Sequence, residues 1–275
     1  MKELLIRTLS GAFYVATIVV PLTVAPWLFP VFALLYMEGM LQEFYGISIG
    51  RGVLVPERVT AGFAAAAAFM LVWLHCSGHT VPLAFIPLAV TAILTVFLLR
   101  RERTLNAQFA YVFYGLAYVA LPCVLAPLAV YPDGRFFGLN LLSLFCIVWC
   151  SDVGAYAVGT LLGQKAGSKK LAPSISPKKS WWGVAGAVVF GVAGAFVLCR
   201  TALFLVPAVH ALVLGFLVSV LSVMGDLVES LWKRHFGVKD SGSILPGHGG
   251  FLDRLDSAIF AFPAVLAYLA AFNLL

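Results

Sequence analysis

Charge is scarce in this chain. Only 11% of its 275 residues are Asp, Glu, Lys or Arg, against roughly a quarter in a soluble globular domain. That shortage, with 62% hydrophobic residues and a mean hydropathy of +1.00, excludes an ordinary soluble domain. It predicts an all-α, polytopic membrane protein. Cysteine is also sparse. Cys76, Cys123, Cys146, Cys150 and Cys199 lie mostly in apolar runs and form no CxxC pair. A disulfide framework and a cysteine zinc site are therefore not expected. No GxxxxGK[ST] occurs, which excludes a P-loop, and no HExxH occurs, which argues against a zinc protease. Soluble domains, internal repeats and low-complexity linkers are absent too. The alanine run Ala64 to Ala68 suits close helix packing.

Apolar runs fill the space left by charge. A spanning helix needs about 20 apolar residues. Nine stretches qualify, at approximately 8–28, 29–48, 60–77, 81–99, 107–131, 137–162, 182–204, 208–232 and 252–273. The first is too long, and lacks a small-residue cleavage site, for a signal peptide, so it is read as a span. Nine spans place the termini on opposite sides. With the N-terminus cytosolic, 16 of the 18 Lys and Arg fall on the cytosolic side, leaving only Arg135 and Arg200 beyond. This is the positive-inside pattern. It explains the net charge of +6 without a nucleic-acid partner. Residues 1–135 read as scaffold helices and a lipid groove, and 136–275 as the catalytic helices and loops.

The few acids are placed tellingly. Glu38, Glu43, Asp152, Asp226 and Glu229 lie within apolar spans, and Asp253 and Asp256 begin the last one. A carboxylate in a span is a functional-site hypothesis by default. Asp226, Glu229 and Lys233 are spaced i, i+3, i+7 and share a helix face. At 1.5 Å per residue, Asp226 lies about 10 Å below Lys233, and Asp152 about 16 Å below the loop beginning near Gly163. These depths describe a polar cavity open to the cytosol. Its rim is the segment Ser230 to Asp256, SLWKRHFGVKDSGSILPGHGGFLDRLD.

Carboxylates alone repel an anion. Carboxylates holding Mg²⁺ do not, and Mg²⁺ commonly sits between carboxylates and phosphates. Lysines and glycine-rich backbone on the rim contact further phosphate oxygens. Acids below, lysines above and the amides of Gly247, Gly249 and Gly250 suit a phosphoanhydride plus a lipid phosphate. Two metals about 3.5–4 Å apart suit an in-line displacement.

The residues carry a resemblance. Ser230, Lys233, Arg234, Lys239, Asp240, Gly242, Pro246, His248, Gly249, Gly250, Asp253, Arg254 and Asp256 resemble the signature of the phosphatidate cytidylyltransferases, or CDP-diacylglycerol synthases. Ser151-Asp152, Gly154, Ala155-Tyr156, Gly159 and Gly163, followed by Leu171, Pro173 and Ile175-Ser176-Pro177-Lys178-Lys179, resemble that family's other polar block. Together they cover about the last 125 residues. Earlier, the likeness is the span pattern and a Glu in the second span, here Glu43. One departure stands out. The family usually reads SPKK-Thr-Trp-Glu-Gly, and here Trp182 stands at the Glu position.

The resemblance implies that CTP and phosphatidic acid give CDP-diacylglycerol and pyrophosphate with Mg²⁺, in two metal sites and with room for a monovalent cation. Asp226, Asp253 and Asp256 are then the first metal ligands expected, with Asp152 and Glu229 behind them. Lys178, Lys179, Lys233, Arg234, Lys239 and Arg254 are expected phosphate contacts. His248 is expected on phosphate or pyrophosphate, and Gly249 and Gly250 admit backbone to it. A homodimer is compatible with this reading. Plainer readings stand beside it. Asp253 and Asp256 also suit a helix dipole, Lys169, Lys170 and Arg234 suit anionic lipid, and His75, His79, His210 and His235 suit structural roles. A related CTP-using lipid enzyme, such as a polyprenol or phytol kinase or a CDP-archaeol synthase, and an ion-coupled transporter are the alternatives.

Overall fold

The computed structural model describes residues 2–99, 107–244 and 249–275. Ten α-helices follow in chain order among them. They are α1 (Lys2–Thr23), α2 (Leu28–Ser48), α3 (Val55–Cys76), α4 (Ile86–Leu99), α5 (Ala107–Gly115), α6 (Leu121–Val130), α7 (Leu139–Leu161), α8 (Trp181–Arg200), α9 (Ala208–His235) and α10 (Leu252–Ala271). Six segments are long and apolar enough to cross a membrane: Val55–Cys76, Gln108–Val130, Leu139–Leu161, Trp181–Arg200, Ala208–His235 and Leu252–Ala271. The protein is an all-α integral membrane protein. Thr8–Thr23 and Leu83–Leu99 are shorter apolar stretches.

Two departures from uniform helix have local causes. The span Gln108–Val130 widens into a π-helical turn over Leu116–Ala120. Pro122 lies two residues beyond it, and a proline has no N–H to donate to the preceding turn and cannot fit its ring there. The polar loop at 163–181 contains a short hairpin, β1 (Lys170–Ala172) with β2 (Ser176–Ser180), paired antiparallel with Lys170 opposite Ser180. Ile175 N–H donates to the Ala172 carbonyl at 3.2 Å. That closes a β-turn with Pro173 at its second position, where the fixed φ of proline is preset.

The chain divides into two compact units. One comprises Met1–Phe137, Asp240–Arg254 and Leu275, and the other Gly138–Lys239 and Leu255–Leu274. The first is built on α2, whose Met37, Met40, Leu41, Phe44 and Tyr45 are completely buried. Tyr45 O–H satisfies the Val112 carbonyl at 2.9 Å. Arg58 of α3 donates to the Gly50 carbonyl at 2.7 Å and to Gln42 Oε1 at 3.2 Å, fixing the α2–α3 connection.

In the second unit, α8 packs against both α7 and α9. A Cβ at Gly186 would lie 2.6 Å from Val158 Cβ, and one at Gly215 2.8 Å from Val192 Cα. Small residues therefore set these helix spacings, as expected where lipid supplies little hydrophobic drive between helices. Ser180 caps α8 by accepting from Gly183 N–H at 3.2 Å. The cap fixes β2 at the helix N-terminus, with Lys179 as the residue just before it.

Candidate functional site

The C-terminal half of α9 carries the first polar cluster. Its helical spacing puts Asp226, Glu229 and Lys233 on one face, and the structure joins Asp226 to a lysine outside that helix. Lys179 Nζ lies 2.6 Å from Asp226 Oδ2. Ser230 O–H donates to the other oxygen, Oδ1, at 3.2 Å. Lys233 Nζ lies 2.5 Å from Glu229 Oε2, with the Glu229 carboxylate fully buried. Asp256 of α10 faces the same group. Its electrostatic neighbours include Asp226 and Lys233. Gly225 permits this approach, since a Cβ there would lie 2.7 Å from the Asp256 carbonyl oxygen. Ser257 holds the two helices together by donating to the Ser222 carbonyl at 3.2 Å. Three acids on two neighbouring helices, with Lys179 paired to Asp226 and Lys233 to Glu229, form a compact charged centre.

The second cluster belongs to the other unit and is organised by Glu43 of α2. Glu43 Oε1 accepts from Phe251 N–H at 2.9 Å. Oε2 accepts from Leu252 N–H at 2.9 Å and Ser241 O–H at 2.8 Å. Asp253 Oδ2 accepts from Ser241 N–H at 2.7 Å, Ser241 O–H at 2.9 Å and Gly250 N–H at 2.8 Å. Ser241, Gly250, Phe251 and Leu252 are thus bound to two carboxylates, one remote in sequence and one at the start of α10. Gly249 has φ +81°, and a Cβ added to it would meet the Asp253 carboxylate. Phe251 packs on the same face of α2, edge-on to Tyr36 with ring centroids 5.0 Å apart.

The remaining expected residues fall in different places. Lys178 and Lys239 are exposed, as is Asp152 on α7. Arg234 donates to the Val238 carbonyl at 3.1 Å and closes its own helix end. Arg254 has its Nε buried without a hydrogen-bond partner among the described residues. His248 lies outside the described residues. Lys170, which the sequence leaves to positive-inside placement, donates to the Gly163 carbonyl and to Gln164 Oε1, both at 2.9 Å. It ties the hairpin to the end of α7. Ser241 carries no signal by spacing, and its role emerges only from the long-range bond to Glu43.

Comparison with known proteins decides the family. The profile described as Cytidylyltransferase family matches residues 5–272. The chain belongs to the cytidylyltransferase family. The Phosphatidate cytidylyltransferase of Bacillus subtilis (strain 168) is 44% identical over 138 residues, 50% of each chain. That of Mycobacterium bovis is 43% identical over 145 residues, 52% of this chain and 44% of the relative. That of Staphylococcus haemolyticus is 37% identical over 171 residues, 62% of this chain and 63% of the relative. The matched segment thus spans about half the length of the first two relatives.

A divalent ion is implied by the family. Among the described residues no three His, Cys, Asp or Glu side chains gather as a metal cage. Mg²⁺ does not need one, because it is usually held by one or two carboxylates together with waters and substrate phosphates. The neighbouring Asp226 and Asp256 carboxylates supply such a pair of hard oxygen donors, and a cation between them relieves their repulsion. The residues fit the ion.

Proposed function

We propose that the protein transfers the cytidylyl group of CTP to phosphatidic acid, giving CDP-diacylglycerol and pyrophosphate. The observation that carries this is the Asp226–Asp256 neighbourhood with Lys179 and Lys233 at its edge. Acids with adjacent lysines match a polyphosphate that arrives with a cation, and family membership supplies the cytidine. The relatives are named for the same transfer to phosphatidate.

In this reading a phosphate oxygen of phosphatidate attacks the α-phosphorus of CTP. The bond from that phosphorus to the oxygen bridging the β-phosphate breaks, and pyrophosphate leaves with the bond's electron pair. The attacking phosphate is already anionic near neutral pH, so no strong base is required. Positioning and charge neutralisation then do most of the catalysis. Asp226 and Asp256 would hold Mg²⁺, with Glu229 keeping Lys233 at the edge of the pair. Such an ion would supply charge neutralisation for the phosphates. Lys179 and Lys233 exchange their carboxylate partners for phosphate oxygens as substrate enters. The exposed Lys178 and Lys239 contact further phosphate oxygens. Asp253 acts chiefly in the loop, because three donors already occupy its Oδ2. A second divalent or a monovalent ion, a homodimer and a contact from His248 extend this reading.

The site faces the cytosol, where CTP is available. The skew of 16 cytosolic cations to Arg135 and Arg200 supports that face and an N-terminus on the same side. Nine spans follow when α1, α2 and the α4 stretch cross along with the six long segments. The test is which phosphate of CTP reaches lipid in purified protein. Label from the α-position in a liponucleotide supports the transfer, label from the γ-position alone makes the protein a kinase, and no turnover with any lipid favours a transporter.

A further inference from the structure

Glu43 sits near the end of α2, almost 210 residues from Phe251 and Leu252, which donate to it. Its three partners, Phe251 N–H, Leu252 N–H and Ser241 O–H, are all donors. Only a side chain with two acceptor oxygens satisfies all of them, and a carboxylate is that group. The two amides open α10, and a helix start leaves such N–H groups without intrahelical partners. The negative charge also suits the positive end of the helix dipole.

The surrounding glycines are shaped to this carboxylate. A Cβ at Gly242 would lie 2.5 Å from Glu43 Oε1, and a Cβ at Gly250 would collide with both oxygens. Gly250 therefore serves the approach of Glu43, whatever its backbone N–H does for a ligand. That N–H is itself given to Asp253. Ser241 O–H lies within reach of Glu43 Oε2 and Asp253 Oδ2 alike, at 2.8 and 2.9 Å. It has one proton to share between the two acids. Tyr36, Gly39 and Glu43 recur at helical spacing on α2. A Cβ at Gly39 would lie 2.5 Å from Phe251 Cδ2, so the loop is seated on that face by shape as well as by hydrogen bonds. Tyr14 O–H adds a bond to the Arg254 carbonyl at 3.0 Å.

We infer that Glu43 is a positioning residue for the transfer reaction: it fixes Ser241, Phe251 and the first turn of α10, the helix that carries Asp256 one turn further on. It touches no reacting atom. Its kinetic consequence rests on the proposed cytidylyl transfer, while its structural consequence does not.

The experiment compares E43Q, E43D and wild type in detergent, with activity expressed per folded molecule and amide hydrogen exchange followed over residues 249–254. Gln matches Glu in shape but offers one acceptor and a donor, whereas Asp keeps two acceptors on a shorter stem. A positioning carboxylate predicts that E43Q loses about 10- to 100-fold in kcat/KM for CTP, as for residues that orient a ligand-bearing group, and that E43D retains more than E43Q. Phe251 and Leu252 amides exchange roughly tenfold faster or more in E43Q, the scale of losing hydrogen bonds to a charged group. S241A loses activity as well, and the E43Q/S241A double variant falls no further than the worse single change, because the residues act as one unit. Unchanged activity per folded molecule in E43Q, or E43Q exceeding E43D, overturns the kinetic role. Unchanged exchange overturns the seating of the loop. If wild type itself moves no cytidylyl group, the proposed reaction fails, and the exchange measurement still decides the clamp.

Discussion

Lys179 of β2 and Asp226 of α9 form an ion pair with Nζ 2.6 Å from Oδ2. The ammonium nitrogen is buried, whereas the Asp226 side chain remains 43% accessible. The lysine thus neutralises, from one side, an acid whose other side is open to a ligand. The same carboxylate is the one proposed to hold Mg²⁺. Lysine and metal ion then compete for Asp226, and arriving phosphates relieve the competition by drawing the lysine away.

Removing Lys179 should therefore separate metal binding from nucleotide binding. Without nucleotide, K179M is expected to bind Mn²⁺ roughly two- to fivefold more tightly than wild type, the scale of a partly exposed ion pair. Its KM for CTP should rise. Titration followed by electron paramagnetic resonance reads the first effect and steady-state kinetics the second. Equal Mn²⁺ affinity in the two proteins contradicts the competition.

The three aspartates should not behave alike. D226N and D256N are expected to lower kcat by about 100-fold or more, comparable to losing a group that stabilises transition-state charge, and to weaken Mn²⁺ binding while the protein stays folded. D253N also lowers activity, but mainly by loosening the loop that Ser241 and Gly250 anchor, so its Mn²⁺ affinity should change least. Trp182, which is exposed at the start of α8 and stands where the family usually has Glu, suits an anchor at the membrane interface. W182A should be milder than D226N and D256N. A loss equal to theirs gives Trp182 a gating or catalytic role.

Helical periodicity exposes part of this site in the sequence and tertiary contact conceals the rest. Asp226, Glu229 and Lys233 are recognisable together because three- and four-residue steps repeat on one helix face. Lys179 reads there only as a basic residue of a polar loop, since its partner lies 47 positions on and the hairpin that aims it is too short to show a period of two. The bond between Ser241 and Glu43, 198 positions apart, leaves no local trace at all. The apolar runs mark six clear spans, whereas α2 carries Glu38 and Glu43 amid fully buried apolar side chains, so composition alone blurs it. The π-helical turn before Pro122 is foreshadowed by the proline, though the proline does not say how the helix will accommodate it.

Topology gives an independent check. Nine spans with a cytosolic N-terminus put the C-terminus on the far side. A C-terminal alkaline phosphatase fusion should be active and the matching green fluorescent protein fusion dark. The reverse pattern contradicts either the span count or the orientation.

The most direct measurement supplies purified protein, in wild-type and D256N forms, with Mg²⁺, phosphatidic acid and CTP labelled at the α-phosphate. The account predicts that label moves into the organic phase as a liponucleotide with wild type, with unlabelled pyrophosphate released in equal amount, and that D256N transfers little. Label remaining in water with wild type, or D256N matching wild type, contradicts it.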